Sequence, residues 1–216
     1  MDGLKSWNDF LEPMEHEIRD CSLVLGTYAY RVDDCKDKFK GIRSHCNIRN
    51  PENNQIVKTC DYFYIINDKF FCIEFSDLFS QKSKRDKSIN IIKNAGLDKS
   101  EWTSIVNNSS SEIIISNELA YKITDTDFIL RTLISGKCSQ SISDLPDENY
   151  SKYFLIVYYL PNSDEVDRAR FSDSKNDEFT KEEDKLKSKL ATQYFAHIKY
   201  EHIYWLEIRT FYENYC

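Results

Sequence analysis

The sequence is poor in the residues that make tight turns and has no long apolar run. Among its 216 residues there are five glycines and four prolines. This scarcity argues against a sandwich or barrel of many short strands, since such folds need frequent turns. No apolar segment approaches the roughly 20 residues of a membrane-spanning helix. The first ten residues lack the basic start and apolar run of a signal peptide, so we expect a cytoplasmic protein without membrane contact.

The cysteines do not form a metal-binding or disulfide pattern. There are seven of them, which is an odd number, and no two are spaced as C-x-x-C. The four histidines show no regular spacing with them, which excludes the common zinc fingers and ribbons. We therefore expect free thiols in a reducing compartment. Cys60 and Cys72 fall within strand-like runs, where small apolar side chains pack in a core.

The overall charge is acidic, and this counts against a free-standing nucleic-acid binder. Formal net charge is −7, while 41% of the residues are hydrophobic and 14% aromatic. That apolar content predicts a folded chain rather than a disordered one. We expect one domain over residues 1–216, with polar loops near residues 33–55 and 161–181.

The order of apolar patterns predicts a mixed α/β fold. Helical spacing within residues 4–29 predicts a short helical turn before Pro13 and a helix from Pro13, and residues 21–30 either extend that helix or form a strand. A second helix is predicted from Asn117 to just before Gly136, with Asp127 paired inside it. Apolar strands are predicted over residues 152–160 and 200–208, and a further helix over residues 185–198. The expected architecture is a mixed central sheet, including a β-hairpin, flanked by helices.

The hairpin is the clearest signal in the chain. Two β-rich runs, residues 60–66 and 70–76, enclose a turn at residues 67–69. A turn at Asn67 and Asp68 places Asp61 directly opposite Glu74, whereas a turn one residue later makes them diagonal neighbours. Both registers put the two acids on one face. Opposed carboxylates repel, and a bridging Mg²⁺ or Mn²⁺ removes that repulsion.

This arrangement resembles the PD-(D/E)xK nuclease superfamily. The resemblance implies a restriction-endonuclease-like fold in which Asp61 and Glu74 bind the metal ion and act in catalysis. It also implies an acid on a helix before the hairpin, for which Glu17, with Glu15 behind it, is the best match. Cys60 replaces the proline of the family motif, and Ser76 stands where the family has its lysine.

A lysine from elsewhere would have to replace the missing one. Lys82 and Lys84 follow the hairpin, and Lys122 lies on the second predicted helix. We name Lys122 with Glu17 among the catalytic candidates. The basic run after the hairpin is expected to contact a phosphate backbone, and it comprises Lys82, Lys84, Arg85 and Lys87.

These patterns support two hypotheses about function. The first is a nuclease-like protein that carries out metal-dependent phosphodiester hydrolysis, or a catalytically degenerate subunit of a defence-related complex acting on nucleic acid. In either form we expect a protein partner or an oligomer. The second is a non-catalytic interaction module, in which the aromatic strands at residues 153–160 and 200–208 form a partner surface.

Overall fold

The chain forms a mixed α/β structure whose central sheet is flanked by helices. The computed structural model describes residues 5–34, 41–49, 54–96, 98–101, 103, 111–138, 140–147, 149–159, 181, 184, 188 and 202–216. Within this described part, no helix has the length and apolar character needed to cross a bilayer. The predicted segment 161–181 and the predicted helix over 185–198 lie almost wholly outside the described residues, as does part of the loop at 33–55.

Six strands lie side by side in one sheet, in an order that follows the chain. They are β2 (Leu11–Pro13), β3 (Tyr28–Arg31), β4 (Tyr62–Ile66), β5 (Lys69–Ser76), β7 (Ser151–Tyr158) and β8 (His202–Glu207). The pairings from β2 to β5 are antiparallel, and those of β7 with β5 and β8 are parallel. Two short strands, β1 (Lys5–Ser6) and β6 (Ile142–Ser143), pair in parallel beside this sheet.

Helices alternate with the strands along the chain and cover the faces of the sheet. The helices are a 3-10 turn (Trp7–Phe10), α1 (Ile42–His45), α2 (Leu78–Lys93), α3 (Ser111–Ile134) and α4 (Ile208–Tyr215). Helix α3 starts before the predicted Asn117. It ends where predicted, because Gly136 adopts a φ of +65° and lets the Lys137 N–H donate to the Thr132 carbonyl, 3.2 Å away.

Each face of the sheet has its own apolar core. On one face, alternate residues of the central strands, including Phe63 and Cys72, pack with Leu119 and Ile123 of α3. On the other face, Ile73 and its neighbours pack with the C-terminal helix α4. The predicted strand over residues 152–160 is the central strand β7, and both of its faces are buried. Its lack of alternation therefore reflects burial on both sides.

The predicted helix from Pro13 is wrong, although a short helical turn precedes Pro13 and a strand begins at Tyr28, as the alternatives allowed. Trp7 and Phe10 are buried by a single 3-10 turn, which Ser6 and Asp9 close with reciprocal capping bonds. Pro13 then ends β2 at the edge of the sheet, where its missing N–H is tolerated. Asp20 and Gly26 both have positive φ values. The three-residue spacing of the buried aromatics fits one 3-10 turn as well as a longer helix, which explains the error.

Candidate active site

The hairpin adopts the first of the two predicted registers. Asn67 and Asp68 have φ values of +48° and +58°, so together they form the type I′ turn favoured between antiparallel strands. Ile66 consequently pairs with Lys69, and the ladder continues to the pair of Tyr62 with Ile73. Asp61 therefore reaches the level of Glu74, at the end of the hairpin opposite the turn.

Asp61 is fixed by bonds from both sides of the hairpin end. Its backbone N–H donates to the Ile73 carbonyl over 2.9 Å, and its carboxylate accepts the Phe75 N–H over 2.8 Å. On the other side, the Val32 N–H donates to the Asp61 carbonyl over 2.9 Å. These bonds replace the regular ladder, and they hold a partly buried carboxylate against β5.

Helix α3 fixes the segment that leads into the hairpin. The hydroxyl of Thr126 is buried and accepts the backbone N–H of Cys60 over 3.0 Å. The Asp125 carboxylate accepts the Lys58 N–H over 2.8 Å. Both acceptors lie one turn after Lys122, so the contacts that position Asp61 also bring Lys122 to the hairpin.

Glu74 is buried beneath α3 with one of its two carboxylate oxygens unpaired. Its residue exposure is 2%, because strand alternation puts it on the α3 face with Cys72. The Lys122 ammonium donates to Glu74 Oε1. Glu74 Oε2 is equally buried and has no hydrogen-bond partner in the structure. A buried, unpaired carboxylate oxygen is costly, which makes this atom the feature of the site that most needs an explanation.

The ionisable groups at this end of the hairpin perturb one another. Burial, and then the nearby Asp61 charge, raise the pKa of Glu74 well above its ordinary value. Burial also raises the pKa of Asp61, against the opposing effect of Lys122. Burial lowers the pKa of Lys122, but Glu74 and Asp61 outweigh it and leave that pKa raised. Two carboxylates thus share one ammonium, and the cluster favours a further positive charge.

Asp33 is a third acid at the site, and the sequence patterns did not single it out. Its charge raises the pKa of both Asp61 and Glu74. Asp33 follows β3 closely and pairs with Arg43 of α1, which also binds Asp34 over 3.0 Å. Gly41 packs against the Val32 and Asp33 backbone so closely that a Cβ there would lie 2.3 Å from the Asp33 carbonyl oxygen. Only the pairing of β3 with β4, which local patterns do not encode, reveals this proximity.

The other predicted site residues occupy different surroundings. Glu17 lies in the non-helical segment before β3 and is exposed, so the expectation of a helix-borne acid at this position is wrong. Ser76 is 3% exposed at the end of β5. Lys82 lies in α2, as do the exposed Lys84 and Lys87 and the partly buried Arg85. The structure therefore brings Lys122 of α3 into contact with Glu74.

The opposite face of the same hairpin end carries a second group of polar side chains. The Arg31 guanidinium lies over the ring of Tyr62, 4.8 Å from its centroid, and donates to the Tyr62 oxygen. That oxygen also accepts the Glu15 N–H over 3.0 Å. Glu12 lies 3.6 Å from Arg31. In this group each charge has an opposite charge or a hydrogen-bond partner.

The donor set can be tested against the requirements of a divalent cation. In the described residues, no group of three or more His, Cys, Asp or Glu side chains is arranged to hold a metal ion. Magnesium, however, commonly takes one or two carboxylates from the protein and completes its shell with water and phosphate. Asp61 and the unpaired oxygen of Glu74 supply two carboxylate donors at the same end of the hairpin, which is the number of protein ligands in such a site. No protein-family model, curated protein or solved structure matches the chain.

Proposed function

We propose that the protein is a metal-dependent nuclease with a restriction-endonuclease-like fold. The observation that carries the proposal is the buried cluster of Asp61, Glu74 and Lys122, in which Glu74 Oε2 has no partner. Asp61 and Glu74 are the proposed ligands of Mg²⁺ or Mn²⁺. Lys122 supplies from α3 the positive charge that the family motif places where this chain has Ser76.

The order of elements around the cluster supports this fold assignment. Asp61 immediately precedes β4 and Glu74 lies on β5, the antiparallel pair that carries the acids of the motif. Helices α2 and α3 follow, and the chain then returns as β7, parallel to β5. The helix expected before the hairpin is replaced by β2, β3 and the short α1, so the resemblance rests on the part of the chain from Asp61 onwards.

The side chains of the cluster have separable roles in the proposed hydrolysis. A bound divalent ion supplies Lewis-acid activation of water and neutralises charge at a phosphodiester. Asp61 and Glu74 must be ionised to hold it. The Lys122 ammonium keeps Glu74 oriented through Oε1 and places a fixed positive charge where phosphate charge develops. The exposed α2 cations Lys84 and Lys87 offer contacts to the flanking backbone of a nucleic acid.

A metal titration tests the proposal before any substrate is known. Adding Mn²⁺ to the metal-free protein should raise its melting temperature by about 5 °C at a hundredfold excess over Kd. Asp61→Asn and Glu74→Gln should abolish that rise. Glu12→Gln is the matched control, because it removes a partly buried carboxylate from the opposite face. A wild-type protein that does not respond to Mn²⁺ or Mg²⁺ would refute the metal site.

A cleavage assay then separates an active enzyme from a degenerate one. Single- and double-stranded DNA and RNA should be incubated with the protein and Mn²⁺, with Asp61→Asn as the control for contaminating nuclease. Metal-dependent cleavage by the wild type alone supports the enzyme. Metal binding without cleavage supports a catalytically degenerate subunit, which would act within a nucleic-acid-binding, defence-related assembly.

A specific observation also favours the interaction module as a second candidate. Tyr204 on the edge strand β8 is 40% exposed, and its ring stacks 6.2 Å from that of Tyr153. His202 lies 5.9 Å from Tyr153 in the same group of rings. Exposed aromatic groups of this kind are common at protein interfaces. If they form one between copies of the chain, His202→Ser with Tyr204→Ser should lower the mass measured by light scattering, without changing the metal response.

A further inference from the structure

Two thiols from distant parts of the chain meet beside the α3-face core. Cys46 is 2% exposed within that core, and the partly buried Cys138 packs against it. The two thiols lie close enough for a side-chain hydrogen bond between them to perturb the pKa of each. The Cys46 sulfur also lies 3.8 Å from the carbonyl oxygen of Gln140, two residues beyond Cys138. Neither sulfur is part of a disulfide in this structure.

The backbone at both positions is fixed by helix ends. Cys46 is the C-cap of α1, and its N–H donates to the Ile42 carbonyl over 3.0 Å. Cys138 follows the turn at Gly136 that closes α3, where the Gly136 N–H donates to the Leu133 carbonyl over 3.0 Å. A disulfide forms without backbone movement only between cysteines whose Cα atoms lie within about 7 Å, and interacting thiols on two segments held by helix ends are candidates for such a bond.

We propose that Cys46 and Cys138 are a reversible disulfide site that links α1 to the C-terminal end of α3. The link would connect the helix whose Arg43 binds Asp33 with the helix whose Lys122 binds Glu74. This inference does not depend on the nuclease proposal, because it concerns the thiols and not the carboxylates.

The two sulfurs differ in a way that sets the order of reaction. The hydrogen bond from Cys46 lowers the pKa of Cys138, which is also the more exposed of the two. The same bond, together with burial, raises the pKa of Cys46. Since the thiolate is the attacking species, Cys138 reacts first and Cys46 second.

The oxidant in this scheme is a small disulfide such as glutathione disulfide. The Cys138 thiolate attacks one of its sulfurs, the S–S bond breaks, and one glutathione thiolate leaves and takes up a proton. The Cys46 thiol then loses its proton and attacks the Cys138 sulfur of the mixed disulfide, which releases the second glutathione. The two protein thiols lose two electrons in total, and these reduce one glutathione disulfide to two glutathione molecules.

A second pair of thiols in the same core provides an internal control. Cys60 and Cys72 also share a side-chain hydrogen bond, and both are 0% exposed. Burial raises the pKa of Cys60 well above its ordinary value. Without an accessible thiolate this pair cannot begin the exchange. Contact between two thiols is therefore not sufficient for oxidation. One of them must also be accessible to the oxidant, as Cys138 is.

The test equilibrates the folded protein with buffers of increasing glutathione disulfide content and maps the products by peptide mass spectrometry. We expect a peptide cross-linked through Cys46 and Cys138, with Cys60 and Cys72 still reduced. The oxidised protein should melt about 5 °C higher or more, because the link closes a long loop in the unfolded chain.

Two variants test the proposed order. Cys46→Ser should accumulate a mixed disulfide of glutathione on Cys138, and Cys138→Ser should leave Cys46 unmodified. Because a serine in the core can unfold the domain, Cys46→Ala is tested in parallel, and each variant is first checked by circular dichroism. Wild-type protein that keeps both thiols reduced, or cross-links through a different pair, would overturn the proposal. So would Cys46 variants that form no adduct.

Discussion

The polar groups are fully paired on one face of the hairpin end and incompletely paired on the other. On the α4 face, Tyr62 is enclosed by donors and its partner Arg31 lies near Glu12, so the polar groups are matched. On the α3 face, Glu74 and Asp61 share Lys122, and Glu74 Oε2 has no partner. The same two strands support both groups, so the difference does not come from the backbone.

The difference separates a structural polar group from a candidate functional one. A fully matched cluster stabilises one arrangement and leaves no vacancy for a ligand. An incompletely matched cluster costs stability in the free protein, and a cation of the correct size removes that cost on binding. We therefore expect substitutions on the α3 face to change both stability and metal affinity, and those on the α4 face to change stability alone.

The largest effect on stability is expected from Lys122→Met. This change removes the cation that binds the buried Glu74 and should lower the free energy of unfolding by about 3 kcal/mol at neutral pH. Urea denaturation in the presence of EDTA measures it. Because Glu74 can take up a proton when its partner is lost, the deficit should shrink as the pH is lowered. A deficit that does not depend on pH would show that lost packing, and not the unpaired charge, is the cause.

The next largest effect is the pH dependence of metal affinity. Both carboxylate pKa values are raised, so Glu74 and Asp61 retain protons above their ordinary values of 4.5 and 3.8. A metal ion must displace those protons, so affinity should rise with pH through this raised range, by about tenfold per proton displaced and pH unit. Calorimetric Mn²⁺ titrations from pH 5 to pH 8 measure the slope.

The Glu12→Gln variant keeps both hairpin acids and should reproduce the wild-type slope. Glu74→Gln should bind weakly at every pH and lose the part of the slope that comes from Glu74. If Glu12→Gln removed the pH dependence instead, Glu12 and not the hairpin acids would control the metal affinity.

A smaller effect is expected on the α4 face, from Tyr62→Phe. This change keeps the buried ring but leaves the Glu15 N–H and the Arg31 guanidinium without their shared acceptor. The free energy of unfolding should fall by about 1.5 kcal/mol, and Mn²⁺ affinity should remain within twofold of the wild type. Chemical denaturation and metal titration of the same sample measure both quantities. A large loss of metal affinity would indicate that the two faces are coupled.

The hairpin and the shared face of its two acids were predictable from sequence, which left two registers open, but the composition of the site was not. Asn67 and Asp68 favour a type I′ turn, and the turn fixes which residues lie opposite Asp61. The sequence did not distinguish Lys122 from Lys82 and Lys84, because it does not reveal how α3 is rotated against the sheet. Asp33 was missed for a related reason, since its proximity to Asp61 follows from the long-range pairing of β3 with β4.

The N-terminal error shows the limit of local spacing. Trp7 and Phe10 repeat at an interval that fits one face of a helix, and the prediction continued this pattern in a helix from Pro13. In the structure the same spacing serves a single turn, and β2 then pairs with β3. That pairing is decided by contacts across the sheet, which a local window does not contain. The prediction that Glu17 lies on a helix is wrong for the same reason, because the predicted helix that contained it does not form.

The smallest effect is expected from Arg131→Ala, which tests a charge pair on the same helix as Lys122. Arg131 binds Asp127 one turn away over 2.6 Å, but its side chain is 57% exposed. A solvated pair of this type contributes about 0.3 kcal/mol to the free energy of unfolding, so urea denaturation should barely separate the variant from the wild type. The value should also decline in high salt, because exposed charges are screened. If the loss in free energy of unfolding were close to that of Lys122→Met, exposed and buried ion pairs of α3 would contribute equally. Burial of Glu74 would then not explain the effect of Lys122→Met.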